Sequence, residues 1–211
     1  CKCIFFGDHF NQPINNLPYG VEKISFGYFF NHPLNNLPES VKIIELGDSF
    51  NRPINTLPPN LKTIHFGSNF NLPIDNLPPN LQSLKLGTLF THPINNLPAN
   101  LKELYLSIFF NQPIDNLPIG LKILEIDGCF DQPVNNLPQG LRKLSLKYKF
   151  NCKVDNLPGV LEELVLGDNF SCSLNNLPRG LKILTIMNST YRRKLKNLPS
   201  GLEVLFMNGK K

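Results

Sequence analysis

The sequence has no tryptophan and only two methionines, and just 18% of its 211 residues are charged. Its apolar runs never exceed about five residues, so no segment is long enough to cross a bilayer as a helix. No proline-free stretch exceeds 20 residues. Nineteen prolines recur along the chain, and proline breaks helix interiors and the central strands of ordinary sheets. Helix bundles and coiled coils are thereby excluded. No CxxC pair is present. The five cysteines (Cys1, Cys3, Cys129, Cys152 and Cys172) match no zinc-site spacing, and their odd number points to free thiols in a reducing cytoplasm. There is no phosphate loop, no GxSxG and no HExxH. No charged n-region with an apolar h-region occurs in these residues, which open at Cys1 on the first position of a repeat, so a preceding segment is expected.

What the chain does have is a period of 20. The triplet Asn16-Leu17-Pro18 returns every 20 residues as far as Asn176-Leu177-Pro178, with Thr56 once replacing Asn, and reappears shifted by one residue at Asn197-Leu198-Pro199. Phe10 likewise returns every 20 residues to Phe170, and Tyr191 closes the series. Eleven units start at Cys1, Val21, Val41, Leu61, Leu81, Leu101, Leu121, Leu141, Leu161, Leu181 and Leu202. They are expected to form one solenoid over residues 1–211, irregular at 188–194, where the tenth unit gains a residue.

Within each unit, positions four and six are apolar and alternate with variable residues, the pattern of a short strand with one buried face. Positions one, ten, fourteen and seventeen are the remaining apolar sites. One unit buries too little to fold alone, so stability must come from stacking. Two prolines in most return segments predict an extended, polyproline-like path with turns. Glycine at position seven suggests a turn leaving the strand. The short polar residue at position eleven suggests a corner. Asn at sixteen reads as an inward ladder serving backbone groups between coils, and fifteen as facing water.

The strand pattern LxxLxL with an Asn-Leu-Pro return resembles a short leucine-rich repeat. The runs from Phe6 to Asn11, Phe26 to Asn31 and Phe66 to Asn71, with Phe-Asn-x-Pro-Ile at Phe50 to Ile54, resemble more specifically the FNIP, or FGxxFN, repeats abundant in social amoebae and giant DNA viruses. The resemblance implies a leucine-rich-repeat solenoid: a parallel sheet on the concave face, an extended convex side and almost no helix. It also implies a host-cytoplasmic location if the source is viral. Arrays of that family are often fused to an F-box and taken as substrate receptors of ubiquitin ligases, although these residues hold no F-box-like helices. Toward the C-terminus the pattern drifts: Gly becomes Ser107, Asp127, Lys147 and Met187, and Pro becomes Lys153, Ser173 and Lys194. Neither end carries a recognisable cap.

No catalytic constellation emerges, and neither a cofactor nor a metal is expected. His32 and His92 share position twelve three coils apart, roughly 14 Å at about 4.8 Å per strand, too far to share a metal. Glu103 and Glu125 could pair as acids beside Tyr105, but nothing enforces a pocket. The variable positions three and five line the concave face instead. Tyr105 with Ile123, flanked by Glu103 and Glu125, is the central protein-contact candidate, and Val165, Ile183, Val204 and Phe206 form a second apolar stripe.

Charge is uneven. Residues 179–211 hold eight basic residues and one acid, or +7, leaving −2 for the rest of a chain whose net charge is +5. The candidate basic patch is Arg179, Lys182, Arg192, Arg193, Lys194 and Lys196, followed by Lys210 and Lys211. It lacks the interleaved aromatics and the fold of a nucleic-acid binder, which disfavours nucleic acid without removing an acidic partner. The leading expectation is a non-enzymatic scaffold binding a protein on its concave face, with no membrane association. The alternatives are a homo-oligomer that self-associates through uncapped ends, and a binder of nucleic acid or an acidic partner through the basic C-terminus.

Overall fold

Alternation of apolar and variable residues over so few positions gives very short strands. The computed structural model describes residues 2–207 and contains eleven of them: β1 (Cys3–Phe5), β2 (Lys23–Ser25), β3 (Ile43–Glu45), β4 (Thr63–His65), β5 (Ser83–Lys85), β6 (Glu103–Leu106), β7 (Ile123–Ile126), β8 (Lys143–Leu146), β9 (Glu163–Leu166), β10 (Ile183–Ile186) and β11 (Val204–Met207). They form one parallel sheet in sequence order, and no helix occurs among the described residues. The register advances by one unit at each step, Glu103 opposite Ile123 for example. Between β10 and β11 it absorbs the extra residue of the tenth unit, so that Ile183 faces Val204.

Side chains at positions one, four, six, ten and fourteen fill the interior. The rings of position ten form a continuous stack. From Phe10–Phe30 to Phe170–Tyr191, successive centroids lie 6.1–6.4 Å apart with nearly parallel planes. Strands in a sheet sit only about 4.8 Å apart. The coils therefore fan out behind the sheet, which puts the strands on the concave side. Tyr191 keeps the ring and adds a hydroxyl that donates to the Cys172 carbonyl at 3.0 Å. That bond accommodates the one ring of the stack that carries a polar atom.

The return segment explains the prolines. The carbonyl of the Asn-Leu-Pro proline accepts the N–H that opens the next unit, as from Leu61 to Pro58 at 3.1 Å and from Leu101 to Pro98 at 3.0 Å. In half of the units, as at Leu57-Pro58 and Leu97-Pro98, this proline is buried while the preceding leucine is only half-buried. Position seventeen is thus a shallower site than its apolar character implies, because the proline ring takes the inward place.

The expected Asn ladder exists, but at a different position. Asn16 and its equivalents are exposed, with Asn16, Asn36 and Asn197 in the left-handed region (φ 58, 60 and 55°). They make the turn, and some bond laterally, as Asn96 Nδ2 does to Asp75 Oδ1 of the preceding coil at 3.0 Å. The ladder runs at position eleven, where the Asn or Asp side-chain oxygen accepts the backbone N–H of the same position one coil on, with a break at Thr91, whose hydroxyl donates back to Asn71. Asn51 bonds Asn31 at 3.0 Å, Asn71 bonds Asn51 at 3.1 Å and Asp131 bonds Asn111 at 3.0 Å. Position twelve completes it by reaching the position-eleven carbonyl of the preceding coil, through Arg52 at 2.9 Å and Cys172 at 3.1 Å. Neither Cys152 nor Cys172 is bridged.

The position-seven glycines open the turn that leaves the strand, the Phe50 N–H bonding the Gly47 carbonyl at 3.2 Å, and they also permit close packing between coils. A Cβ on Gly67 would fall 2.3 Å from the Gly47 carbonyl oxygen, and one on Gly87 1.9 Å from that of Gly67. Toward the C-terminus the ladder lengthens, at glycine as well as at its replacements. Asp127 N–H bonds the Leu106 carbonyl and Lys147 N–H the Ile126 carbonyl, both at 3.0 Å, Gly167 N–H bonds the Leu146 carbonyl at 2.8 Å, and the strands from β6 onward have four residues instead of three.

Candidate functional site

Positions three and five alternate with buried residues, so their side chains stand on the concave face. The parallel register brings the four central candidates together: Glu103 lies opposite Ile123, and Tyr105 opposite Glu125. Two donors fix Glu103, since Ser83 Oγ donates to its Oε2 at 3.0 Å and the Tyr105 hydroxyl reaches the same oxygen at 3.4 Å. Burial, and then the carboxylates of Glu103 and Glu125, push the Tyr105 phenol above its ordinary pKa. It stays a neutral donor.

Ion pairs frame this centre. Lys143 Nζ lies 2.9 Å from Glu125 and 3.3 Å from Glu163, and its hydrogen bond to Glu125 holds its pKa high. On the other side Lys23 Nζ sits 2.7 Å from Glu45. Burial works against the Glu45 carboxylate, yet hydrogen bonds from Lys23 and Ser25 keep its pKa below the usual value. Between them His65 is depressed by burial and by neighbouring Lys85, which makes it a neutral imidazole rather than a cation. Lys147 Nζ is 3.2 Å from Asp127 Oδ1, near enough for an ion pair but not aligned as a hydrogen bond. His65, Lys85, Glu103, Tyr105, Glu125 and Asp127 line a shallow hollow of about 460 Å³. The bowl is open to solvent, and Glu103 and Glu125 within it are already held by Ser83 and Lys143.

The C-terminal stripe is less continuous than expected. Val165 is only 9% exposed, packed between the concave side chains of adjacent strands, and is unavailable as a contact. Ile183 is half-buried, while Val204 and Phe206 are exposed at 47% and 54%. Leu205 and Met207, whose equivalents in earlier units are interior, are exposed as well, because no described coil stacks on β11.

The candidate basic residues differ in their partners. Lys182 lies beside the sheet and pairs with Glu162 at 3.1 Å. Arg192 reaches the carbonyls of Ser189 and Tyr191 within the irregular tenth unit, and Arg193 that of Ser171 in the ninth. Arg179 borders a hollow on the return side, and Lys194 and Lys196 are exposed. Lys210 and Lys211 lie outside the described residues.

The profile of the FNIP Repeat family matches residues 30–68, 53–88, 69–109 and 110–149, which together cover more than half of the chain. The chain belongs to the FNIP repeat family. Among solved structures, this FNIP array is similar to CroV588, a circular leucine-rich-repeat protein of a giant virus (31% identity, TM-score 0.72), over 96% of the array and 39% of that chain. It is also similar in fold to YopM from Yersinia enterocolitica WA-314 (21% identity, TM-score 0.51), over 92% of the array and 53% of that chain. The array thus spans about two-fifths to one-half of these relatives. No curated protein matches the chain. Leucine-rich-repeat folds commonly mediate protein–protein interaction, and repeat families of this type are typically non-enzymatic scaffolds.

The corner just after the strands of the FNIP array carries exposed apolar residues that the strand-based reading passed over. Tyr28 and Phe29 are exposed there, Phe29 stacking on His9 at 5.4 Å, and so are Ile108, Phe109 and Tyr148. Their signal lies in positions eight and nine, the first of which holds Asp, Ser, Asn or Thr in most units. Tyr148 is held at φ 54°, a left-handed conformation unusual for an aromatic residue.

Proposed function

We propose that this FNIP array is a non-enzymatic scaffold, working in a reducing cytoplasm, that recognises a protein partner through its concave sheet. Tyr105 and Ile123 form the apolar centre, and Glu103 and Glu125 the polar flanks. One observation carries the reading. The Tyr105 ring stands on a rigid parallel sheet, its hydroxyl bonded to Glu103 within a hollow framed by ion pairs. An aromatic anchor already fixed in place loses little entropy on binding, and interface energy concentrates in such residues. The substrate-receptor role of related arrays extends the same idea, with the concave row as the reader of the substrate.

The test is affinity capture from native cytoplasm by the wild-type array, by Tyr105→Ala and by Tyr19→Ala, a change at an exposed turn away from the sheet. Partners whose binding falls about thirtyfold in Tyr105→Ala, as expected for a loss of about 2 kcal/mol, and holds in Tyr19→Ala support the reading. Equal retention by all three overturns it.

A further inference from the structure

Position two, immediately before each strand, forms a second row along one border of the sheet. It is basic through Lys42, Lys62, Lys102, Lys122, Arg142 and Lys182. The register that stacks the strands stacks these residues as well, because each position-two N–H bonds the position-two carbonyl of the preceding coil. Lys62 to Lys42, Lys102 to Gln82 and Lys122 to Lys102 each measure 2.8 Å. Acids enter only toward the two ends. Glu22 is 3.7 Å from Lys2 and 3.4 Å from Lys42, and Glu162 contacts both Arg142 and Lys182. The flanking pairs hold both carboxylates below their ordinary pKa, through hydrogen bonds to Lys42 and Lys182 first.

The central lysines have no such neutralisation. Lys62, Lys102 and Lys122 make no ion pair among the described residues. Lys122 donates instead to the Gly140 carbonyl at 3.2 Å. A Cβ on Gly120 would come within 2.8 Å of Lys102 Nζ, and one on Gly140 within 2.8 Å of Lys122 Nζ. These glycines leave the room in which the ammonium groups lie along the row. The opposite border mixes signs, with Asp8, Asp48, Asp127, Asp131 and Asp168 beside Arg52, Lys147 and Lys149. The run of basic residues is thus particular to the position-two border.

We propose that the position-two row is a docking strip for an extended acidic polypeptide segment lying along the solenoid axis. The spacing suits such a chain. Lys62 and Lys102 are two coils apart, about 10 Å, close to the reach of three residues of an extended peptide at about 3.3 Å each. Long-range attraction of this kind steers encounter and fixes orientation. A peptide fits better than a single-stranded nucleic acid, because no aromatic side chain stands beside the central lysines to stack bases. The strip is separate from the concave contact centred on Tyr105, and its test does not depend on that contact.

The experiment uses fluorescence anisotropy with a labelled polyglutamate peptide of about 20 residues on the intact array, at about 50 and 200 mM salt. Lys62→Gln/Lys102→Gln/Lys122→Gln should bind about tenfold more weakly, the sum of three modest exposed charge contacts, and lose most of its salt dependence. Arg192→Gln/Arg193→Gln/Lys194→Gln/Lys196→Gln should stay within about twofold of wild type. Unchanged thermal melting of both variants shows that folding is not the cause. The proposal is overturned if wild type fails to bind the peptide, or if the row variant binds like wild type. It is equally overturned if a single-stranded oligonucleotide of equal charge binds more tightly through the same lysines. Loss of partner capture by Tyr105→Ala with no effect of the row variant on the peptide removes the strip and leaves the concave reading intact.

Discussion

Replacing Phe70 by alanine removes one ring from the middle of the position-ten stack. Phe70 is fully buried, with Phe50 at 6.1 Å on one side, Phe90 at 6.3 Å on the other and Phe66 at 4.0 Å within its own coil. Burying and then deleting a phenyl group in a closed core costs about 3–5 kcal/mol. Each ring pair adds about 0.5–1.5 kcal/mol beyond area, which places Phe70→Ala toward the upper part of that range. The defect also weakens two coil interfaces at once, and in a solenoid nearest-neighbour interfaces carry the cooperativity. Urea unfolding followed by far-ultraviolet circular dichroism measures the loss from the midpoint and the slope. A smaller slope would mean that the array has split into two halves that unfold separately. Phe109→Ala, at a ring that is 47% exposed, is the control and should change stability by about 0.5 kcal/mol or less. A loss below about 1 kcal/mol for Phe70→Ala would refute the claim that the ring stack is the spine of the fold.

Asn51→Ala deletes the acceptor of the Asn71 N–H and should cost about 0.5–1.5 kcal/mol, whereas Asn76→Ala at the exposed turn should be nearly neutral; equal effects in urea titrations would return the ladder to position sixteen. Gly67→Ala drives a methyl into the Gly47 carbonyl and should cost about 1–3 kcal/mol or more, while Gly7→Ala, with nothing within 4 Å, should be tolerated, as thermal melting will show. The folded-state pKa of His65 is depressed, so the unfolded chain binds the proton first, and stability falls as pH drops below about 6.5 toward the folded value. His65→Gln should flatten the melting temperature between about pH 7 and 5 relative to wild type, and an unchanged slope would assign the effect to other groups.

The strands, their order and the buried Phe row were legible because they depend on a period and on alternation, and both can be counted in a single chain. The Asn ladder was harder to place. Positions eleven and sixteen are both rich in Asn, and composition cannot say which side chain turns toward the neighbouring coil. Gly67 was read as the start of a turn, which it is, but its close approach to Gly47 was missed because contact between coils 20 residues apart leaves no local trace. Val165 looked like a surface residue from its row, yet its neighbours on the concave face cover it. That Tyr105, Glu103, Ile123 and Glu125 are neighbours was legible because parallel register maps sequence offset directly onto distance. The hydrogen bonds to Glu103 and the sharing of Lys143 between two glutamates depend on side-chain conformation, which periodicity does not fix. Lys62, Lys102 and Lys122 escaped notice for another reason: they are dispersed in sequence and become a row only when the coils stack.

Site-specific crosslinking tests the concave-face account most directly. A photoreactive amino acid is placed at Tyr105, at Glu125 or at Tyr19, and the array is irradiated in native cytoplasm. The account predicts one shared crosslinked protein from Tyr105 and Glu125, on adjacent strands β6 and β7, and none of it from Tyr19. Crosslinks to that protein from Tyr19 alone, with the two concave positions silent, would contradict it.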